Sequence, residues 1–182
     1  MPKTGSRPPF AGYIQVYTGN GKGKTTAALG LAFRAAGRGM KTYIGQFLKH
    51  TPTGEVAAAR RLSPLITIRR FGRPGFILVR EGHDEGDLRR ARTGLRKCRA
   101  AMLSGEYRVV VLDEVNTAVY LGLLSEADVL SVLDEKPADV ELILTGRYAP
   151  RSFVRRADLV TEMRERKHYF ARGVRARTGI EK

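Results

Sequence analysis

A glycine-rich segment close to the start of the chain constrains the fold more than any other part of the sequence. It runs Thr18-Gly-Asn-Gly-Lys-Gly-Lys-Thr-Thr26. Residues 13–17 before it have the composition of a strand, and the Ala- and Leu-rich residues 25–36 after it predict a helix. A Gly-rich turn that leads from a strand into a helix beginning with Lys-Thr is typical of a P-loop, although Thr18 replaces the first glycine of that pattern.

The composition of this loop suits it to bind phosphate. Glycines lack a Cβ atom, so the backbone N–H groups can turn inwards and approach an anion closely. The N-terminus of the following helix adds partial positive charge, Lys22 and Lys24 add full charges, and the Thr25 hydroxyl is suited to bind a divalent cation. The candidate phosphate-binding residues of the loop are Gly19, Asn20, Gly21, Lys22, Gly23, Lys24, Thr25 and Thr26.

From residue 13 onwards, short β-rich runs alternate with helical stretches. Because the strands are apolar almost throughout, they favour a parallel sheet that is covered by helices on both faces, which is an α/β three-layer sandwich. The predicted strands cover residues 13–17, 41–47, 65–69, 108–112, 140–145 and 159–163. We expect residues 1–12 to form a flexible arm, residues 13–182 to form a single domain, and the basic residues 165–182 to pack on it as a tail.

Two further candidates follow predicted strands, where ligands bind in folds of this kind. The apolar run of residues 109–112 ends in Asp113 and Glu114, and P-loop proteins use carboxylates in this position to hold Mg²⁺. Either carboxylate could bind the metal while the other acts on the substrate. Arg147 follows the next strand and is a candidate phosphate clamp, although it could also be an ordinary surface arginine.

Composition excludes some classes of protein. The chain has 182 residues and one cysteine, Cys98, so it cannot be a secreted fold held by internal disulfides. It has no apolar run long enough for a transmembrane helix and no signal-peptide pattern, so we expect a cytoplasmic protein that does not bind membranes. The net charge of +15 attracts polyanions over roughly 8 Å at physiological salt.

The motifs taken together are similar to those of a known family, the P-loop type of ATP:corrinoid adenosyltransferases. The resemblance extends over nearly the whole chain from Tyr13 onwards. The segments that carry it are Thr18–Thr26, residues 45–49 (Gly-Gln-Phe-Leu-Lys), residues 111–114 with Asn116, residues 144–147 (Leu-Thr-Gly-Arg), residues 157–163, Lys167-His168, Gly173-Val174 and Gly179-Ile180.

The resemblance implies a P-loop NTPase-like fold of the recombinase type and a transfer of the 5′-deoxyadenosyl group of ATP to cobalt(I) of a corrinoid. Triphosphate would be released, and ATP would lie in the loop in the reversed sense, with its ribose C5′ exposed. Residues 19–26 and Arg147 would bind ATP. Thr25 and Glu114 would bind Mg²⁺ or Mn²⁺ with Asp113 in support, and Lys24 and Glu114 would be the catalytic residues.

The side of the site that faces the corrinoid departs from the family pattern. The family has Gly-Phe-x-Trp there, whereas this chain has Gly75-Phe-Ile-Leu78 and no tryptophan at all. By resemblance, Phe76 and Leu78 are therefore the candidate corrinoid-side residues, although Phe76 could equally anchor a loop on the core. Relatives can also have a longer N-terminal segment, whereas 12 residues precede the first predicted strand here.

Other functions remain open at this point. The charge and the arginine-rich helix predicted for residues 84–103 would suit a P-loop ATPase that acts on nucleic acid, but no nucleic-acid recognition motif accompanies them. A small P-loop kinase would share the fold and transfer a phosphoryl group instead. The adenosyltransferase interpretation implies ATP and a reduced corrinoid as partners, a flavoprotein as candidate reductant, a homodimer, and no specific nucleic acid.

Overall fold

The protein folds into one six-stranded sheet with helices on both faces. A computed structural model describes residues 10–51, 53–73 and 84–181. The strands are β1 (Ile14–Thr18), β2 (Thr42–Gln46), β3 (Ile66–Arg70), β4 (Val109–Asp113), β5 (Glu141–Thr145) and β6 (Leu159–Glu162). The helices are α1 (Lys24–Ala36), α2 (Gly54–Arg61), α3 (Glu85–Leu103), α4 (Val115–Tyr120), α5 (Glu126–Asp134) and α6 (Arg151–Arg156), and a 3-10 helix covers Tyr169–Arg172.

All the strand pairs are parallel, and the strand order is β3-β2-β4-β5-β1-β6. Parallel neighbours need a crossover connection, and the helices supply these crossovers. The prediction of an α/β three-layer sandwich with a parallel sheet is therefore confirmed.

The two helical layers rest on opposite faces of the sheet because side chains alternate along each strand. In β4, Val109 and Val111 pack with α1 and α2, whereas Val110 and Leu112 pack with α3, α4, α5 and α6. β2, β4 and β5 are buried along their whole length. The apolar runs in the sequence therefore correspond to strands that are covered by helices on both faces of the sheet.

The expectation that both faces are covered fails at one edge of the sheet. β6 is exposed along its whole length, and Leu159 and Val160 keep 44% and 42% of their surface accessible. The reason is its edge position, because β6 pairs with β1 alone among the described strands. No helix among the described residues is long and apolar enough to cross a membrane.

The long helix α3 is anchored on the sheet by a buried apolar stripe that includes Leu95, Cys98 and Met102. Asp84 caps its N-terminus by accepting a hydrogen bond from the backbone N–H of Asp87. Cys98 is fully buried against β2, where a Cβ atom on Gly45 would lie 2.2 Å from its sulfur. The absence of a side chain at Gly45 thus lets helix and strand approach closely.

The strand order brings together the segments that carry the candidate site. β1, β5 and β4 are neighbours, and the P-loop, Arg147 and the Asp113-Glu114 pair follow their carboxyl ends. Because all the strands are parallel, these three segments meet at the same edge of the sheet.

Candidate functional site

The P-loop is fixed against the segment that follows β6. The backbone N–H of Gly21 donates to the Met163 carbonyl at 2.7 Å, and the Met163 N–H donates to the Thr18 carbonyl at 2.8 Å. A Cβ atom on Gly19, whose φ is +93°, would lie 2.4 Å from the Met163 oxygen, and one on Gly21 would lie 2.8 Å from it. Gly19 is therefore required both by its backbone conformation and by this close approach, and Gly21 by the close approach.

Lys24 lies inside the loop. Its ammonium group donates to the carbonyls of Gly19 at 2.8 Å and Gly21 at 2.7 Å, and only 7% of the residue is accessible. Burial lowers the pKa of Lys24, and the nearby Glu114 carboxylate partly opposes this effect. These bonds hold the cation inside the turn of the loop.

Asp113 is the centre of a buried hydrogen-bond network. Its Oδ1 accepts from the hydroxyls of Thr25 at 2.8 Å and Thr145 at 2.7 Å. Its Oδ2 accepts from Lys49 Nζ at 2.8 Å and from Gln46 Nε2 at 3.2 Å. The carboxylate is fully buried and four donors occupy its acceptor positions, so it holds the surrounding side chains in place.

Glu114 has a strained backbone with φ +66° at the start of α4, a conformation that non-glycine residues seldom adopt outside functional sites. Its N–H donates to the Thr145 hydroxyl at 2.9 Å, and its Oε2 accepts from Thr117 Oγ1 at 2.7 Å. Thr117 Oγ1 also accepts from the backbone N–H of Arg147 at 3.0 Å. Thr117 thus connects the segment after β4 to the segment after β5.

These segments surround a cavity of about 510 Å³. One part of its wall consists of the P-loop and the segments after β2, β4 and β5, and contributes Asn20, Gly21, Lys22, Gly23, Lys24, Thr25, Thr26, Leu29, Lys49, Gly54, Glu55, Glu114 and Arg147. The other part comes from the segment after β6 and contributes Glu165, His168, Gly179, Ile180 and Glu181. The volume lies in the range of small-molecule sites.

The structure brings most of the predicted site residues to this cavity. Residues 20–26, Glu114 and Arg147 line it, whereas Gly19 lies behind it as an acceptor for Lys24. Asp113 does not line the cavity; it lies behind Thr25 and accepts a hydrogen bond from the Thr25 hydroxyl. Phe76 and Leu78 lie outside the described residues.

Sequence reasoning did not single out several residues that the structure places at the site. Lys49 was noted within a family segment only, yet it contacts Asp113, lies 3.4 Å from Thr25 Oγ1 and lines the cavity. Thr145 and Gln46 are the other unanticipated partners of Asp113. A polar residue at the end of an otherwise apolar strand is the signal that could have found both of them.

The sequence matches a known protein family over almost its whole length. The model of the family described as ATP:corrinoid adenosyltransferase BtuR/CobO/CobP matches residues 11–181. Corrinoid adenosyltransferase from Pseudomonas aeruginosa is 35% identical over 171 residues, which cover 93% of this chain and 83% of the relative. Corrinoid adenosyltransferase from Escherichia coli is 37% identical over 171 residues, which cover 93% of this chain and 85% of the relative.

A comparison with solved structures supports the fold. The KaiC-like protein from Pyrococcus horikoshii superimposes with a TM-score of 0.53 at 17% sequence identity, covering 84% of this chain and 72% of that protein. This likeness concerns the P-loop fold alone. The family match extends over almost the whole chain, and both the family and the two relatives are described as corrinoid adenosyltransferases. The chain therefore belongs to the ATP:corrinoid adenosyltransferase family and is a corrinoid-adenosylating transferase.

Proposed function

We propose that the protein transfers the 5′-deoxyadenosyl group of ATP to cobalt(I) of a corrinoid and releases triphosphate. The observation that carries this proposal is the 510 Å³ cavity, in which a P-loop lysine and the carboxylate of Glu114 line the same space. ATP is the co-substrate that this combination suits, because its polyphosphate tail is bound by backbone N–H groups, cations and a divalent metal.

The P-loop would bind the triphosphate. The helix α1 begins at Lys24, so its free N–H groups and its dipole face the loop. Lys22, Lys24, Lys49 and Arg147 add four positive charges around the cavity. Since negative charge develops on the leaving triphosphate in the transition state, fixed cations here would lower the barrier.

The residues at this site fit a Mg²⁺ ion. Thr25 and Glu114 line the cavity and offer hydroxyl and carboxylate oxygens, which are the ligands that Mg²⁺ prefers. The acceptor positions of Asp113 are taken by four donors, so it would orient the Thr25 hydroxyl rather than ligate the metal itself. When bound, the ion would neutralise charge on the phosphate oxygens.

The chemical step needs no general base. The cobalt(I) substrate supplies the electron pair that forms the Co–C5′ bond, and cobalt is formally oxidised to cobalt(III). The C5′–O bond breaks, and its electron pair leaves with the triphosphate. The protein has to align C5′ with cobalt and stabilise the leaving group. We propose that ATP lies with its ribose C5′, rather than its terminal phosphorus, towards the acceptor.

Product analysis tests this proposal. The protein is incubated with ATP, Mg²⁺ and chemically reduced cob(I)alamin, and the expected products are adenosylcobalamin and triphosphate in equal amounts. ADP and phosphate as the main products would contradict it and indicate phosphoryl transfer.

A lysine variant tests the role of the P-loop. Lys24→Ala should remove most of the activity, because the buried cation of the loop is lost. Lys41→Ala is the matched control, since Lys41 pairs with Glu106 at the surface and does not line the cavity. Normal turnover by Lys24→Ala would contradict the assigned role.

We propose three further properties with the same activity. The working assembly is a homodimer, a flavoprotein supplies the reduced corrinoid, and residues 13–182 act as a single nucleotide-binding domain. A nucleic-acid-dependent ATPase is not favoured, because the relatives are corrinoid adenosyltransferases.

A further inference from the structure

The sheet has a second edge strand, β3, at the opposite end from β6. Among the strands that the structure describes, β3 pairs with β2 alone. The N–H of Phe71 donates to the carbonyl of Gln46 in β2 at 2.9 Å, and the odd-numbered residues of β3 face β2 in the same way. Because backbone groups alternate in direction along a strand, Ile66, Ile68 and Arg70 turn their N–H and C=O groups away from the sheet. Such an edge is a template for a further strand.

Helix α2 lies beside this edge, and the two elements form the walls of a groove of about 580 Å³. We call it the β3–α2 groove. The helix contributes Val56, Ala59 and Arg60, and all five residues of β3 line it. It therefore runs along the whole strand, over roughly 16 Å at about 3.3 Å per residue. None of the described residues lines both this groove and the P-loop cavity, so the two are separate features.

The shape of the groove suits an extended peptide. In one common mode of recognition, a peptide adds a strand to an exposed sheet edge, and its main chain pairs with the outward N–H and C=O groups. Pockets for alternate side chains then supply specificity. Val56 and Ala59 are buried and Ile68 is half-buried, so the groove offers apolar contacts beside the free edge.

The β3–α2 groove is also strongly basic. Arg60, Arg69 and Arg70 line it, and no carboxylate is found among its described lining residues. None of these three arginines forms an ion pair with any residue in the described ranges. Arg70 donates to the His50 carbonyl, which carries no charge to neutralise it. The groove therefore combines a free backbone edge with unneutralised cations.

These two properties together select the occupant. A second copy of the chain, docked by two-fold symmetry, would bring the same arginines into the interface from both sides, and like charges repel. The phosphates of a nucleic acid would accept from the arginines and from the N–H groups, but they supply no donors to the outward C=O groups of β3. An extended polypeptide with acidic side chains satisfies both the backbone edge and the arginines.

We propose that the β3–α2 groove is a docking site for an extended acidic segment of a partner protein, which adds to the sheet as a further strand beyond β3. The main chain of the segment pairs with Ile66, Ile68 and Arg70, and its carboxylates pair with Arg60 and Arg69. The surface is separate from the P-loop cavity, so the proposal does not depend on the proposed function.

A designed peptide tests the backbone pairing with the unaltered protein. The probe is a fluorescein-labelled hexapeptide of alternating Glu and Val with blocked ends, titrated with the full-length protein by fluorescence anisotropy at about 0.15 M salt. We expect saturable binding, and no binding of the equally labelled Lys-Val peptide. Two further probes are N-methylated on alternate residues, one on each set. Because only one set directs its N–H groups towards β3, their affinities should differ by about tenfold or more.

Substitutions test the charge. The double variant Arg60→Gln/Arg69→Gln should weaken binding of the Glu-Val peptide by roughly fivefold, as expected for two partly exposed ion pairs. Arg61→Gln is the matched control, because Arg61 is the next residue of α2 and is exposed but does not line the groove. The three arginines do not line the P-loop cavity, so ATP binding and thermal unfolding should remain unchanged in all variants.

The combined results decide the proposal. Binding that depends on which residues are methylated and on Arg60 and Arg69 supports it. Absence of binding, equal binding of the Lys-Val peptide, or equal effects of the two methylated probes overturns it. An oligothymidylate that binds more tightly than the peptide and loses affinity in the double variant would indicate a nucleic-acid site instead. Dissociation of an oligomer by the peptide, measured by sedimentation, would mean that a second copy occupies the groove, and this also overturns the proposal.

Discussion

The replacement Asp113→Asn is the sharpest test of how the site is held together. The asparagine oxygen can still accept from the hydroxyls of Thr25 and Thr145. Its NH2 group would then face Lys49 and Gln46, which are both donors. Two hydrogen bonds to a carboxylate oxygen are lost, and donors are left facing each other at a fully buried position.

The expected cost follows from these contacts. A hydrogen bond to a charged group contributes about 1.5–3 kcal/mol, and Lys49 can relax in part towards Glu55, which lies 3.9 Å away. We therefore expect the free energy of unfolding to fall by about 3 kcal/mol. For a chain of this size, the melting temperature should fall by roughly 6–12 °C.

The assay is urea and thermal unfolding of the nucleotide-free protein, arranged as a double-mutant cycle with Lys49→Met. Because Lys49 donates to Asp113, the two changes should couple by about 1–2 kcal/mol. Lys41→Met is the control, since its surface pair with Glu106 should contribute less than about 1 kcal/mol. A change of less than about 0.5 kcal/mol in Asp113→Asn would refute the reasoning.

Three further predictions follow from the same structure. Gly21→Ala should abolish nucleotide binding, because its Cβ would lie 2.8 Å from the Met163 oxygen; calorimetry measures this. The control is Gly30→Ala in α1, whose Cβ meets no atom within 4 Å. It should stabilise the protein by about 0.5–1 kcal/mol, which melting curves measure. Burial raises the pKa of Cys98 to about 12, so the folded protein should resist thiol reagents at pH 8 and react only when denatured; rapid labelling of the native protein would contradict this. The pKa of Glu181 falls from 4.5 to about 2, so the stability that it contributes is present above about pH 4.5 and is lost as the pH falls towards 2; acid-unfolding curves of Glu181→Gln should lack this component.

Local patterns were sufficient to predict the framework of the protein. The glycines and the Lys-Thr pair between a strand and a helix indicate a P-loop. They act through the backbone conformation of the loop and the polarity of the helix, and both of these depend on residues that are close in sequence. The apolar run before Asp113 likewise predicts a buried parallel strand with a carboxylate at its end. Alternation of strands and helices then determines the layers of the fold.

The details of the site depended on contacts between distant segments. Lys49 meets Asp113 because β2 pairs with β4 in a register that places Gln46 opposite Asp113. The sequence separation of the two residues is 64, and no local pattern predicts that pairing. The same holds for Thr145, which reaches Asp113 from the neighbouring strand β5.

The sequence by itself thus determined that the chain has a P-loop on a parallel sheet, since the necessary residues are adjacent along the chain. The tertiary structure alone decided which side chains complete the cavity. Five residues between 165 and 181 line it because β6 lies beside β1 at the edge of the sheet, so that Met163 bonds to Gly21. Strand order is a global property of the packed chain, and it determines which remote segments become neighbours at the carboxyl edge of the sheet.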